Sequence, residues 1–484
     1  MMPRSWYLLV GCFLCGCQAL PPGLRTSEVG VETPSTWSSS KTAQAGVDQA
    51  WIERFRDPTL ERLANEAVAN NPDLKAAASR VRVAASNAKI AGAARRPQLN
   101  AVLSGNRRKT NFIGFPDFGG FGEGSSSGAE PAVISTISDT FGASLDLSWE
   151  ADLWGRIRAG ESAALAELQA TDADFRAARA SLVAQVAKAW FALTEASQHL
   201  ALAEETVKTF QSTEDVIADR FEIGELEGGG TGAQLRLAKS DVASAREQVS
   251  QRKDVLQQTR RQLEVLLGRY PKNLLDGNRE LPPLPGRPPT GLPSELLLRR
   301  PDIQAAERRF ASQGQRIKEA RLALFPQFKL TASGGTSTES LQDLLDSDFG
   351  VWNLAGNIVQ PILTGGRLLD EKRIREEQEG QALAALQSTV LQGFLEVELA
   401  LEADQYLAER QAALEEATSL AKEADSAARA DYRDGVGDIL TVLTAQSRVL
   451  QFSGQLISIR RLRLDNRVNL HLALGGDFKP NELK

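Results

Sequence analysis

Apolar residues in this chain recur with two periods, and the periods take turns along the sequence. Phe141, Ala143, Leu145, Leu147 and Trp149 alternate with Gly142, Ser144, Asp146, Ser148 and Glu150, the pattern of a strand with one apolar and one polar face. Leu99, Ala101 and Leu103 alternate in the same way, and Phe328, Leu330 and Ala332, then Trp352, Leu354, Gly356 and Ile358, do so less cleanly. The spacing predicts strands over about 97–107, 139–151, 326–335 and 349–361. Elsewhere the period is seven. Val186, Leu193, Leu200 and Val207 interleave with Ala189, Ala196, Ala203, Phe210 and Ile217, and Leu386, Gly393, Ala400, Leu407, Leu414, Ala421 and Ala428 repeat the spacing farther on. Heptads sustained this far predict coiled-coil helices, and the small residues on one seam let neighbouring helices approach closely.

The chain also repeats itself. Asn71-Pro72-Asp73-Leu74 recurs as Arg300-Pro301-Asp302-Ile303, and Arg96-Pro97-Gln98-Leu99 as Phe325-Pro326-Gln327-Phe328, both at an offset of 229 residues. Leu153-Trp154-Gly155-Arg156 recurs as Thr364-Gly365-Gly366-Arg367, and Arg220-Phe221-Glu222-Ile223-Gly224 as Asp431-Tyr432-Arg433-Asp434-Gly435, both at an offset of 211. The first copy therefore carries 18 more residues than the second between its Pro-Gln and Gly-Arg signals, assigned here to a Gly/Ser/Phe-rich loop over 106–138. From Gly-Arg to the next glycine both copies have one length, which a rigid helix requires and a loop does not. At 1.5 Å per residue that helix is about 100 Å long.

The predicted plan is a first repeat over 58–268, with helices at about 58–95, 156–222 and 233–267, and a second over 299–475, with helices at about 300–324, 367–433 and 439–474. A Pro-rich linker over 269–298 joins them, an N-terminal linker spans 17–57, and a tail covers 476–484. The turns that end the long helices fall at 224–232 and 434–438.

The N-terminus adds a location. Arg4 followed by the apolar stretch 6–14 reads as a secretory signal over 1–16. Leu14-Cys15-Gly16-Cys17 resembles a bacterial lipobox with Cys17 as the lipidated residue; Leu9-Val10-Gly11-Cys12 fits the pattern with a shorter apolar core. Cleavage before Cys17 leaves one cysteine and no methionine, so disulfide and thiol chemistry drop out.

Composition then removes function classes. A net charge of −6 over 484 residues offers no footprint for nucleic acid. His199 and His471 are the only histidines, and neither has a second His or a Cys at metal-ligand spacing. The glycines at 228–232 lack the Lys-Ser/Thr of a phosphate loop. No catalytic residue, cofactor or metal site is expected. Past the signal no apolar run approaches the ~18 residues of a membrane helix, so a membrane crossing must be a closed barrel. Strands of about ten residues suit a tilted crossing, whereas a soluble hairpin packed on one face is the bland alternative. Four strands cannot close a barrel, for which about eight is the minimum; a dimer with eight or a trimer with twelve satisfies it. The fold class is an α+β membrane protein with a two-fold internal repeat, each copy holding two transmembrane β-strands and long coiled-coil helices.

The string Leu145-Asp146-Leu147-Ser148-Trp149-Glu150-Ala151-Asp152-Leu153-Trp154-Gly155-Arg156 resembles the TolC family, in its lipoprotein branch serving resistance-nodulation-division (RND) efflux pumps. So does Leu292-Pro293-Ser294-Glu295-Leu296-Leu297-Leu298-Arg299-Arg300-Pro301-Asp302-Ile303. The resemblance implies a homotrimer with a twelve-stranded barrel in the outer membrane, continued by an α-helical periplasmic tunnel and girdled by the linkers. It implies docking to a periplasmic adaptor (membrane fusion) protein and an inner-membrane RND-type pump, contact with outer-membrane lipid, passive conduction of drugs or other toxic compounds, and no catalysis. By the same resemblance, a constriction forms at Asp431, Tyr432, Arg433, Asp434, Asp438, Thr441 and Thr444, and adaptor-docking turns involve Gly224, Glu225, Gly435, Gly437 and Gln446. Many relatives have an aspartate where Thr444 stands, so Asp434 and Asp438 are the expected acidic ring. Asp438 also reads as a helix N-cap, Gly435 as a helix-ending residue, and the charges around Arg220 and Glu222 as solvated.

Two rivals keep a place. A periplasmic adaptor also combines a lipid anchor with a helical hairpin, but it has one hairpin between β-rich halves. A duct of the same family for secreted protein or metal ions is the other; a methionine-lined copper path is disfavoured because the chain cleaved before Cys17 has no Met.

Overall fold

The computed structural model describes residues 30–39, 51–112, 134–223, 232–291 and 293–476. Cys17, Gly224, Glu225 and the tail from 477 lie outside the described residues. Among the described residues eight α-helices and four strands follow in the order α1 (Pro58–Asn70), α2 (Pro72–Ala93), β1 (Gln98–Phe112), β2 (Ile134–Ala151), α3 (Arg156–Ile223), α4 (Gly232–Leu266), α5 (Pro293–Arg299), α6 (Pro301–Leu322), β3 (Gln327–Thr338), β4 (Gly350–Val359), α7 (Arg367–Arg433) and α8 (Ile439–Ala473). α3 and α7 have 68 and 67 residues, and α4 and α8 have 35 each. The described residues fall into two compact units, one drawn from 85–166 and 311–380 and the other from 30–84, 167–310 and 381–476.

The first unit holds the sheet, antiparallel throughout in the order β1-β2-β3-β4. Its register turns the alternation seen in sequence into rows. Leu99, Leu147, Ala332 and Leu354 stand opposite one another, as do Ala101, Leu145, Gly334 and Trp352. On the other face Asn100, Asp146, Ser333 and Asn353 form a row, and Glu150 stands opposite Lys329 and Lys329 opposite Asn357. The apolar face is exposed in the single chain, where Leu103, Trp352, Leu354 and Ile358 are uncovered. Among the described residues β1 and β4 each have one unpaired edge.

The strands correct the sequence reading at their outer ends. Residues 108–112 and 134–138, expected as loop, are ladder, with Arg108 opposite Ser138 and Phe112 opposite Ile134. The alternation fades there, but the cross-strand hydrogen bonds continue, so only 113–133 remains as the connection, outside the described residues. The helix expected over 58–95 is two helices. Asn71 interrupts it: its Oδ1 accepts from Leu74 N–H (3.0 Å) to cap α2, while its Nδ2 donates to Leu266 O (3.0 Å). α5 likewise lies within the segment expected as linker.

The link from sheet to helix explains one of the two signature strings. Asp152 accepts from Ile157 N–H (3.0 Å) and Arg158 N–H (2.9 Å), satisfying orphan donors at the start of α3. Trp154 donates to Pro326 O (2.8 Å) and packs on Phe325, while Arg156 pairs with Glu150 (2.8 Å).

The second unit is held by buried apolar seams. Val186, Leu193 and Trp190 of α3 pack with Leu256 and Leu263 of α4, Leu464 and Val468 of α8 and Leu60 and Leu63 of α1. Leu386, Val390 and Val397 of α7 pack with Ile303, Leu470 and Trp37. Asp57 ties three segments, capping α1 at Leu60 N–H (3.1 Å) and accepting from Trp190 Nε1 (2.8 Å) and Asn278 Nδ2 (3.0 Å). The second signature string is explained by Arg300, which is buried and bonded to Asp302 (2.7 Å), Glu396 (2.7 Å) and Ala473 O (3.2 Å).

Candidate functional site

The turn between α7 and α8 is fully described. Gly435 leaves the helix at φ +80°, a conformation that costs a residue with a Cβ about 1–2 kcal/mol. Asp431 O then accepts from Val436 N–H (3.0 Å) and Gly437 N–H (2.9 Å). A Cβ on Gly437 would lie 2.8 Å from Tyr432 N, so the chain can fold back this tightly only with glycine there. Asp438 begins α8 at the N-cap position, yet its side chain makes no capping bond; its backbone O accepts from Thr441 N–H (3.1 Å) instead. The capping role expected for its carboxylate is thus corrected, and that carboxylate stays exposed together with those of Asp431 and Asp434.

The predicted site residues separate into two sets. Asp431, Arg433, Asp434, Asp438, Thr441 and Thr444 are exposed around the turn, with the Thr444 hydroxyl donating to Leu440 O (2.7 Å). Tyr432 and Gln446 are interior. Tyr432 packs with Ile217, Ala238, Ile439 and Val442, and Gln446, 2% exposed, donates to Thr213 Oγ1 (3.0 Å). Neither side chain can present itself to a partner protein, because each is already enclosed by the two hairpins.

Arg220 corrects another expectation. Instead of being merely solvated, its guanidinium lies 4.2 Å from the centre of the Tyr432 ring and donates to Tyr432 O (2.8 Å). The contact joins the end of α3 to the end of α7 by a charge-assisted hydrogen bond to a helix-terminal carbonyl that also accepts from Gly435 N–H (3.2 Å), and by a cation–π contact.

Two buried polar groups had not been singled out. Between α3 and α8, Glu195 lies against His199 (3.6 Å) and Arg461, Arg461 pairs with Asp465, and His199 Nε2 is 3.1 Å from Ser458 Oγ. Burial pushes the Asp465 carboxyl up to about 6, against the pull of Arg461 and Lys188 and with the push of Glu195. Burial acts in the same sense on Glu195, but hydrogen bonds from His199 and Ser458 and the charge of Arg461 outweigh it and hold Glu195 below its usual value. Burial lowers Lys188. Beside this cluster Arg467, almost wholly enclosed, pairs with Asp404 (2.9 Å), which also takes Arg287 (3.0 Å) from the Pro-rich linker. A sequence signal existed: Lys188 and Glu195, and Arg461 and Asp465, recur at helical spacing beside the apolar seam.

Among the described residues no helix is long and apolar enough to cross a membrane, and no group of His, Cys, Asp and Glu gathers as metal ligands. The sheet thus leaves one apolar face uncovered, and α3 with α4 and α7 with α8 form two long helical hairpins, the elements of a membrane conduit. The chain belongs to the outer membrane efflux protein family, whose model matches residues 63–269 and again 292–476, once for each repeat. It is similar to the pyoverdine export outer membrane protein OpmQ of Pseudomonas putida, at 30% identity with 99% of this chain and 98% of the relative covered. It is similar to the toluene efflux pump outer membrane protein TtgC of the same species, at 30% identity with 97% and 95% covered. Its fold matches the open state of the MtrE outer membrane channel of Neisseria gonorrhoeae with a TM-score of 0.80, 28% identity, and 96% and 100% covered. The chain is therefore an outer-membrane efflux channel component and not an enzyme.

Proposed function

We propose that three copies close a twelve-stranded barrel through which small molecules leave the cell, delivered by a periplasmic adaptor and an inner-membrane RND-type pump. The carrying observation is the sheet with apolar rows on one face, polar rows on the other and two unpaired edges. An exposed edge is not viable in lipid, so other copies must supply the missing strands. Eight strands, from two copies, enclose an interior that side chains fill; twelve leave a passage lined by the polar rows. Small-molecule cargo is favoured by relatives named for pyoverdine export and toluene efflux.

The α7–α8 turn is the constriction. Threefold symmetry gathers three copies of Asp431, Asp434 and Asp438 about one axis, a cation-favouring ring that stands in for the acid absent at Thr444. The adaptor docks at the turn glycines Gly435 and Gly437 and at the first turn with Gly224 and Glu225, while Gln446 supports the turn from inside. In planar bilayers Asp434→Asn and Asp438→Asn are expected to lower cation selectivity; unchanged selectivity and conductance sink the ring. Lipid on Cys17 anchors the chain to the outer membrane, and palmitate labelling is expected to vanish in Cys17→Ser; labelling that persists refutes it.

A further inference from the structure

A cleft of about 670 Å³ lies between the two helical hairpins, within the helical unit. Its walls come from all four helices, among them His199 and Phe210 of α3, Asp241 and Arg252 of α4, Arg410 of α7 and Gly454 of α8. Size decides between kinds of occupant. From the level of His199 to that of Phe210, α3 rises roughly 16 Å. A partner helix about 10 Å across fills roughly 1,250 Å³ over that length, nearly twice the cleft. Pockets for small organic molecules span about 300–1,000 Å³.

The lining divides its charge along the cleft. Arg252 and Arg410, one from each hairpin, stand with His199 and Ser458 at the end far from the helical turns. Among the described residues neither arginine has an ion-pair or hydrogen-bond partner. Carboxylates close to that end are engaged: Glu195 holds Arg461, and Glu415 holds Arg460 (3.1 Å). Asp241, the one carboxylate among the lining residues, stands nearer the turns, where burial raises its pKa. Gly454 adds a second observation. It sits in the interior of the 35-residue α8, where glycine weakens a helix relative to alanine. A Cβ there would meet His199 Cε1 at 3.6 Å and Leu202 Cδ2 at 3.9 Å, ordinary contacts, so crowding does not demand glycine. The missing side chain leaves room in the cleft instead.

We infer that this cleft binds an amphiphilic organic anion, with its carboxylate, sulfonate or phosphate held by Arg252 and Arg410. Its apolar body lies along Phe210, Leu443 and Leu450, toward the turns. Arginine suits the head group, because its planar fork of donors matches an oxyanion and keeps its charge at every physiological pH. Since the two arginines belong to different hairpins, a bound anion ties one hairpin to the other, and binding stabilises the folded unit.

Calorimetric titration of the full chain in lipid nanodiscs tests the site, with 2-naphthalenesulfonate as the anion and naphthalene-2-sulfonamide as its uncharged counterpart. The sulfonate is expected to bind saturably and about tenfold tighter than the sulfonamide, the margin that hydrogen bonds to a charged group supply. Arg252→Gln/Arg410→Gln is expected to erase that preference while leaving the affinity for the sulfonamide in place. Arg252 is half-buried and Arg410 exposed, so the folded unit tolerates both changes; an unaltered melting temperature without probe checks it. Gly454→Leu keeps both arginines but fills the cleft, and is expected to abolish binding of both probes. Sulfonate binding that persists unchanged in both variants puts the probe elsewhere and overturns the site. Equal affinity of the parent protein for the two probes overturns its anion preference, and no saturable binding overturns the site outright. The proposed conduit stands in each of these cases.

Discussion

Gly335→Ala is expected to remove SDS-resistant multimers from the outer membrane, while Gly334→Ala, one residue away, leaves them at their normal level. A Cβ on Gly335 would lie 1.9 Å from Ala143 O and 2.6 Å from Ser144 Cα, whereas nothing stands within 4 Å of one on Gly334. Both obstructing atoms are backbone, so no side-chain rotation relieves the clash, and β2 must part from β3 at the Ser144↔Gly335 pair. Overpacking alone costs about 1–3 kcal/mol, and the ladder bonds lost with it add to that. The seam between repeats is where the damage falls, which is why assembly is the readout. Heat-modifiability of the two variants on unboiled gels decides it; if they behave alike, the close approach is not what fixes the seam.

Acidification is expected to stabilise the helical unit through Asp465, opposite to the usual carboxylate behaviour. Its folded pKa, about 6, stands above the ordinary value of 3.8 because burial between α3 and α8 disfavours the charge more than Arg461 and Lys188 favour it. The folded chain then binds the proton more tightly than the unfolded chain, so stability is fully present below about pH 4 and is lost as pH rises through 6. A shift of that size is worth about 3 kcal/mol per chain. Glu195, held below its usual value of 4.5, acts in the opposite sense as pH falls below that value, so its window lies at the acid end of that of Asp465. Asp465→Asn resembles the protonated acid and should raise the melting temperature of detergent-solubilised protein at pH 8 while flattening its change between pH 4 and 7. Parallel melting profiles for the variant and the parent protein would falsify this account.

Arg220 and Arg300 show how differently similar residues read. Arg300 stands in a string that resembles the family, and the structure gives that string its cause: a buried guanidinium holding Asp302, Glu396 and the end of α8. Arg220 reads from sequence as one more charge near an acidic turn, because nothing local distinguishes a solvated arginine from one lying on a tyrosine 212 residues away.

The sequence by itself determined the two-copy plan, the matched helix lengths and the opposite faces of the strands. These follow from periods of two and seven and from fixed offsets, which are properties of the local chain geometry. It also marked Gly435 as a helix end, because a positive φ favours glycine. Only the tertiary structure decided that 108–112 and 134–138 are ladder, since cross-strand hydrogen bonds continue where side-chain alternation stops. It alone decided that Asp438 leaves its carboxylate free of the helix, that Gln446 and Tyr432 turn inward, and that Gly335 cannot carry a Cβ. Each of these depends on the approach of segments distant in sequence, and no period within a single segment records which neighbour will arrive or how close it comes.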